Sequence, residues 1–176
     1  TDVFCFGPPS WEGTLPDNLF HPSRVLRGVH AGVRVGGNES GIPTVNGAIV
    51  FDDRYIGKPL VYCGTVGIMP RILSDGRPSH VKTPVAGDIV YMVGGRVGYD
   101  GIHGATFSSL ELTVVSPSSA VQIGDPITQK KMLDMVLEAR DAGLITCITD
   151  NGAGGLSSSI GEMAEYTNGC EIDLAK

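Results

Sequence analysis

The amino-acid sequence predicts an α+β fold, with a β-rich lobe over residues 1–84 and an α/β lobe over residues 85–176. In the first half, runs rich in β-branched residues contain interior glycines, which favours a curved or barrel-like sheet. In the second half, an apolar run, a glycine-rich loop, a helix and another apolar run follow in the order typical of an α/β layer. The segment 73–88 has few apolar residues and many turn formers, and it therefore places the boundary near residue 85.

The first lobe is predicted to contain three strands and one helix. A strand begins at Asp2 and ends in a Pro-rich loop, and residues 43–53 and 59–71 are strand-like runs joined by the turn-like "DDRYIGK". The helix is predicted to begin at Pro22, which fits a first helical turn, and to end at the Gly36–Gly37 pair. One helix face carries small and apolar residues that would let it lie close to a sheet: Val25, Val29, Gly32, Val33 and Gly36.

The second lobe is predicted to alternate strands with helices. Residues 88–95 and 144–149 are apolar runs long enough for buried strands. Between them, Asp125 is a natural N-cap, Pro126 fits the first helical position, and Gly143 is a C-terminal stop. The apolar face of this helix comprises Met132, Leu133, Val136 and Leu137. A glycine-rich stretch then leads into a second helix.

Charge and hydropathy exclude several classes of function. The net charge is −6 with no basic block, which argues against nucleic-acid binding. A phosphorylated small molecule stays possible, because backbone amides and helix N-termini can hold phosphate. No apolar run approaches the roughly 18–20 residues needed to span a membrane, and the N-terminus does not resemble a signal peptide. The four cysteines form no CxxC pair, so reduced thiols in a cytoplasmic protein are expected rather than a zinc or disulfide framework.

Asp150 is the strongest candidate ligand in the sequence. It follows an apolar run and precedes "NGAGG", and in α/β layers the C-terminal ends of strands form the ligand crevice. Mg²⁺ prefers one or two carboxylates together with phosphate oxygens and water, and the amides of Gly152 to Leu156 would face an anion. The alternative is that Asp150 or Asn151 only forms an Asx-turn at a tight corner. The three serines at 157–159 are expected to be ordinary first-turn residues.

Other candidate residues lie in two further segments. Gln122, in "VQIGDP", is a neutral amide suited to a substrate's amide or hydroxyl groups. The loop "GGRVGYDGIHGATFSS" contains Asp100 and His103 and fits neither a dinucleotide fingerprint nor a P-loop. It is predicted to fold over a substrate, with His103 either a general acid–base or a solvated loop histidine. Glu162 and Glu165 are expected to form a solvated helix face, and no complete catalytic set is present.

The motifs "GGRVGYDGIHGATFSS", "VQIGDP" and "DNGAGGLSSSIGEMAE", in this order, resemble the phosphoribosylformylglycinamidine synthase family, also called formylglycinamide ribonucleotide amidotransferases. "TDVFCFGPP", "GIPTVNGAIVFD" and "PLVYCGTVGIMPR" are similar to the family's preceding segments, so the resemblance covers nearly the whole chain. It implies an aminoimidazole ribonucleotide synthetase-like fold, in which the end of a barrel-forming β-rich lobe precedes the start of an α/β lobe. It also implies an ATP-dependent ligase of purine biosynthesis that uses ammonia from a glutaminase domain or partner.

The resemblance implies roles for particular residues. Gln122 would contact formylglycinamide ribonucleotide, Asp150 would bind Mg²⁺, and the loop around Asp100 and His103 would line the same cleft. The family's catalytic histidine, its His-Asn-His-Pro segment and its main ATP and first-metal ligands would lie upstream of Thr1. The acid-Ser-Gln substrate motif would lie beyond Lys176. The chain is therefore expected to be an internal fragment, inactive alone and prone to self-association through unpaired strand edges.

Departures from the family pattern leave alternatives open. Asn46 and Ala48 stand where many members have Gly and Glu, which suggests a subfamily. Another enzyme of the same superfamily, such as a thiamine-phosphate kinase or a hydrogenase-maturation protein, is disfavoured by the pairing of "DNGAGGL" with "VQIGDP". A non-catalytic half that holds nucleotide structurally is the alternative from another class. The presence of both Gln122 and Asp150 favours the active type.

Overall fold

The computed structural model describes residues 1–17, 19–96, 124–152 and 154–174. The described elements are β1 (Asp2–Phe6), α1 (Pro22–Ser40), β2 (Gly47–Phe51), a 3₁₀ turn (Asp53–Tyr55), β3 (Leu60–Cys63), α2 (Pro126–Asp141) and α3 (Gly155–Ala164). They belong to two units: the first comprises Thr1–Ile68 with Asp125–Lys130, and the second comprises the remaining described residues. The lobe boundary near residue 85 stays a prediction.

The first unit is built on a mixed three-stranded sheet with the order β2-β1-β3. β1 pairs in parallel with β2, from Asp2 opposite Gly47 to Phe6 opposite Phe51, and antiparallel with β3. A parallel pair needs a crossover, and α1 supplies it. The mixed sheet and its helices confirm the predicted α+β class, whereas the barrel stays a prediction.

Apart from Pro22 at the start of α1, the buried apolar side chains of the described residues lie on β1. Phe4, Cys5 and Phe6 are buried, and Phe6 is only 1% exposed. The rings of Phe4 and Phe6 meet edge to face with centroids 6.0 Å apart. The outer strands β2 and β3 instead leave their apolar side chains exposed. Burial on this sheet is therefore concentrated on its central strand, and self-association through the outer strands stays a prediction.

Helix α1 begins where the sequence predicts and ends later. Pro22 is its first residue, and the Nδ1 atom of His21 accepts a hydrogen bond from the Ser23 amide at 3.2 Å. The predicted end at Gly36–Gly37 is wrong, since the helix continues to Ser40. Gly41 adopts φ +70°, and the Ile42 amide donates to the Gly37 carbonyl at 2.9 Å. A residue in the left-handed conformation, followed by an amide that donates back to a carbonyl of the last helical turn, ends a helix. Glycine inside a helix only weakens it, by about 1 kcal/mol.

Helix α2 confirms its predicted start and stop. The Asp125 carboxylate accepts hydrogen bonds from the Ile127 amide at 3.2 Å and from Thr128 Oγ1 at 2.5 Å, as an N-cap does. Gly143 has φ +70°, and the Leu144 amide donates to the Ala139 carbonyl at 2.9 Å, which completes the C-terminal motif. Of the predicted apolar face, Met132 and Val136 are half-buried, and the two leucines are exposed. No helix of the described residues is both long and apolar enough to cross a membrane.

The two strands predicted in the second lobe are wrong. Residues 88–95 and 144–149 are irregular, and Ile89 and Tyr91 are 74% and 78% exposed. The strand-like run 59–71 likewise forms a strand only over Leu60–Cys63. A strand requires a partner whose backbone completes its ladder, and none of the described residues pairs with 88–95 or 144–149 in this way. Apolar composition predicted extended chain at these positions without identifying a partner.

Candidate functional site

The residues that lead to Asp150 are held by an arginine from a distant turn. Arg77 donates from Nη2 to the Ile145 carbonyl at 2.9 Å, across 68 residues of sequence. The same guanidinium donates from Nη1 to Thr83 Oγ1 at 2.8 Å and from Nε to Asp75 Oδ2 at 2.7 Å. One planar group with several fixed donors therefore connects the turn to residue 145.

The ion pair between Arg77 and Asp75 favours the charged form of the aspartate. The backbone amide and the guanidinium of Arg77 both donate to the Asp75 carboxylate and lower the pKa of Asp75. The two side chains are about one quarter to one third exposed, at 26% and 31%, so solvent screens this ion pair only in part. Asp75 thus keeps its charge and holds Arg77 in the orientation that reaches Ile145.

Three further hydrogen bonds attach the turn-rich segment to the residues before Asp150. The Thr83 amide donates to the Thr146 carbonyl at 3.1 Å, and Thr146 Oγ1 donates to Asp88 Oδ2 at 2.9 Å. Ser74 Oγ donates to the Asp141 carbonyl at 2.8 Å. We call residues 74–88 the clasp, because their side chains and backbone replace the strand ladder that the sequence predicts for 144–149.

Asp150 itself is exposed and open. None of the described residues donates a hydrogen bond to its carboxylate or forms an ion pair with it. Its Oδ2 atom lies 3.1 Å from the position that a Cβ atom would occupy on Gly152, so a side chain at 152 would crowd the carboxylate. The carboxylate is therefore available to a ligand from outside the chain.

The neighbours of Asp150 are bonded to helix α3. Ser159 Oγ donates to Asn151 Oδ1 at 2.5 Å, and Thr149 Oγ1 donates to Glu162 Oε2 at 3.2 Å. Ser158 Oγ makes a longer contact of 3.4 Å with the same glutamate. Residues on both sides of Asp150 are thus fixed to one helix.

Glycines form the tight turn that leads from Asp150 into α3. Gly154 and Gly155 adopt φ +89° and +57°, and the Gly155 amide donates to the Gly152 carbonyl at 3.0 Å. A Cβ atom on Gly154 would lie 2.9 Å from the Cβ atom of Ser158, which is closer than real side chains approach. Position 154 therefore requires glycine for both its backbone angle and its space.

Comparison with known proteins places the second part of the chain in a family. Residues 85–176 match the family model described as "AIR synthase related protein, C-terminal domain". The chain belongs to this AIR synthase related family. No solved structure matches the chain.

Three relatives of this AIR synthase related chain are each named phosphoribosylformylglycinamidine synthase subunit PurL. The protein of Thermoplasma acidophilum is 44% identical over 160 residues, which cover 90% of the chain and 20% of that relative. The Staphylococcus saprophyticus protein is 48% identical over 144 residues, covering 80% of the chain and 19% of the relative. The Picrophilus torridus protein is 39% identical over 173 residues, covering 92% and 23%. The resemblance seen in the motifs is confirmed, and the chain spans about a fifth of these relatives' length.

Of the site residues predicted for this AIR synthase related chain, the structure places Asp150. Gln122, Asp100 and His103 lie outside the described residues. Within the described ranges, no group of three or more His, Cys, Asp or Glu residues is arranged to hold a metal ion. The metal role of Asp150 stays a prediction, and a cation at Asp150 would need further ligands from phosphate oxygens, water or groups beyond these ranges.

Sequence reasoning missed the residues that support Asp150. Arg77 stands in a stretch classified only as a turn-rich boundary, and Ser159 was expected to be an ordinary first-turn serine. Ser157 fits that expectation, since its Oγ atom donates to the Gly154 carbonyl at 2.7 Å at the start of the helix. Ser159 does not, because it is buried and reaches across the loop to Asn151. No spacing rule marks such long-range contacts.

Proposed function

We propose that these residues form part of a phosphoribosylformylglycinamidine synthase, an ATP-dependent ligase that converts formylglycinamide ribonucleotide to its amidine in purine biosynthesis. The observation that carries the proposal is 39–48% identity to PurL subunits along 80–92% of the chain. The three motifs that contain the candidate site residues lie within residues 85–176, the range that matches the family model. We also infer that a glutaminase subunit or domain supplies the ammonia in the cytoplasm.

The proposed reaction has two steps. The amide oxygen of the substrate attacks the γ-phosphorus of ATP, which forms an iminophosphate and releases ADP. Ammonia then attacks the amide carbon, the carbon–oxygen bond breaks, and phosphate leaves to give the amidine. Gln122 would contact the substrate and hold its amide in place, and Asp100 and His103 would line the same cleft.

The chemistry of Asp150 fits a Mg²⁺ ion. Its carboxylate is exposed and has no partner among the described residues, while its neighbours are fixed to α3. Hard cations take carboxylate oxygens and leave other positions for water and substrate phosphates. A bound Mg²⁺ would offset negative charge on the phosphate oxygens of ATP. Asp150 would supply one ligand and orient it from a supported loop.

The 176 residues alone are expected to lack synthetase activity. The family's catalytic histidine belongs to a His-Asn-His-Pro segment, and this segment does not occur in the sequence. Gln122 and Asp150 would bind and orient the reactants, but neither is placed here as a general base. Activity should therefore be assayed in the full-length protein.

Magnesium dependence tests the proposal for Asp150. In the full-length protein, Asp150→Ala should raise the Mg²⁺ concentration for half-maximal turnover by at least about tenfold, because a direct ligand is lost. Glu165→Gln is the matched control, since it removes an exposed carboxylate at the C-cap of α3, the end of that helix opposite to the loop of Asp150. Unchanged Mg²⁺ dependence and turnover in Asp150→Ala would exclude the metal role.

Substrate affinity tests Gln122 separately. Gln122→Ala should raise the KM for formylglycinamide ribonucleotide and leave the KM for glutamine unchanged, because only the ribonucleotide would contact this amide. Steady-state kinetics with each substrate varied in turn measures both constants. An unchanged ribonucleotide KM would contradict the assignment.

A further inference from the structure

Ser159 is buried in a helix that is otherwise exposed or half-exposed. It is 4% exposed and is the one buried residue of α3. A buried hydroxyl group without a hydrogen-bond partner is unfavourable, so the partner of Ser159 is informative. Its proton has one short acceptor, Asn151 Oδ1 at 2.5 Å, and a weaker alternative, the Leu156 carbonyl at 3.4 Å. The loop and the helix therefore meet at a specific polar contact.

Asn151 is the residue directly after Asp150. Fixing the Asn151 side chain to α3 restricts the backbone between the two residues, and this backbone sets the direction of the Asp150 side chain. On the other side, Thr149 Oγ1 is bonded to Glu162 on the same helix at 3.2 Å. Both neighbours of Asp150 are thus attached, whereas its own carboxylate accepts no hydrogen bond from the described residues.

We propose that Ser159 and Asn151 are positioning residues, whose hydrogen bond holds the Asp150 carboxylate in the orientation that binds the divalent cation. The inference rests on the proposed function, since it assumes that Asp150 is a metal ligand. Groups that orient a ligand raise metal affinity without touching the metal. Such orienting contacts matter at Asp150, because Gly152, Gly154 and Gly155 raise the entropic cost of ordering the adjoining loop.

Direct metal binding tests the inference without relying on turnover. In the full-length protein, Mn²⁺ binding is measured by electron paramagnetic resonance. The Mn²⁺ site that is lost in Asp150→Asn is the site at Asp150, and its affinity is the quantity compared between variants. Ser159→Ala and Asn151→Ala should each weaken that affinity about tenfold. Because both variants break the same bond, the double variant should be no weaker than either single variant. Ser157→Ala is the matched control, since its hydroxyl stays within the helix start, and it should bind like the wild type.

Thermal unfolding separates positioning from loss of fold. Asn151 is exposed, so Asn151→Ala is expected to keep the fold even if Ser159→Ala lowers stability. Wild-type Mn²⁺ affinity in folded Asn151→Ala and Ser159→Ala, with weakened binding in Asp150→Asn, would overturn the positioning role alone. Independent, multiplying effects of the two substitutions would also overturn it. Unchanged binding in Asp150→Asn would instead overturn the metal assignment on which the inference rests.

Discussion

Two regions of this protein are ordered by different kinds of hydrogen bond. Strand β1 is held by backbone ladders, to β2 from Asp2 through Phe6 and to β3 from Asp2 through Cys5. Residues 144–149 are apolar as well, but the side chains and backbone of the clasp hold them, with Arg77 reaching the Ile145 carbonyl. The first region depends on a pattern repeated along the chain. The second depends on a few residues, so single substitutions should affect the two regions differently.

The comparison also concerns how each region is buried. The described core of the first unit lies on β1, where Phe6 is 1% exposed. The clasp and the loop at Asp150 are mostly exposed or half-exposed, with Ser159 as the buried exception. Apolar burial stabilises β1, whereas directed polar contacts set the position of Asp150. This is the arrangement expected where an element presents a ligand rather than forming a core.

The largest effect is expected from truncating Phe6. Phe6→Ala should lower the free energy of unfolding by about 3–5 kcal/mol, because it removes a fully buried ring and leaves a cavity. Urea denaturation of the full-length protein measures the change. Phe20→Ala is the matched control: Phe20 is 58% exposed and contacts Arg24, so about 1 kcal/mol is expected. Equal losses in the two variants would show that β1 is not the core.

Arg77 tests whether the clasp holds residues 144–149. Arg77→Met should destabilise this segment by about 1–3 kcal/mol, because the Ile145 carbonyl loses the side-chain donor that reaches it. Hydrogen exchange should show faster exchange at the Thr83 amide, which donates to the Thr146 carbonyl. Exchange in β1 should be unchanged.

Arg54 provides the matched control for Arg77. Both arginines donate through Nε to an aspartate two residues earlier, Asp52 in one case and Asp75 in the other. Arg54 is 82% exposed, and its described bonds stay within this local pair. Arg54→Met should therefore leave the free energy of unfolding almost unchanged. The same cost in both variants would show that the bond to Ile145 contributes nothing.

The sequence predicted what local rules govern. The Asp125 cap, the starts of α1 and α2 and the strand at β1 follow from residue types within a few positions of each other. The family was found because its motifs are contiguous. The end of α1 was misplaced, because a glycine pair resembles a stop although Gly41 has the left-handed angle that ends the helix.

The missed features are non-local. An apolar run at 144–149 looks the same whether a strand partner or a clasp holds it, since composition does not identify the partner. The Arg77 bond spans 68 residues, and nothing near Arg77 signals it. Likewise, three consecutive serines are equivalent in sequence, and only the path of the loop makes Ser159 the buried one. The motif made Asp150 a candidate ligand, which stays a prediction, whereas nothing in the sequence signalled the hydrogen bonds that hold its neighbours.

Glycine substitutions probe the loop beside Asp150. Gly154→Ala should destabilise the protein by about 2 kcal/mol, because its positive φ is unfavourable for alanine and the new methyl group would meet Ser158. Gly155→Ala is the control, since position 155 also has a positive φ but nothing within 4 Å of the new Cβ atom. About 1 kcal/mol is expected there. Similar losses at both positions would mean that the contact with Ser158 is not constraining.

The smallest effect concerns pH and the local arginine pair of the first unit. Hydrogen bonds from the Arg54 side chain lower the pKa of Asp52 from 3.8 to about 2. A lowered pKa in the folded state means that this contribution to stability is fully present above pH 4 and is lost as pH falls towards 2. Because the pair is exposed, the effect on unfolding should be small.

An NMR titration should give a pKa near 2 for Asp52, and Arg54→Met should return it towards 3.8. The pKa of Asp75 should not respond to Arg54→Met, since Arg77 holds it. A shift in the pKa of Asp75 would show that the two arginine–aspartate pairs, one in each region, are not independent of each other.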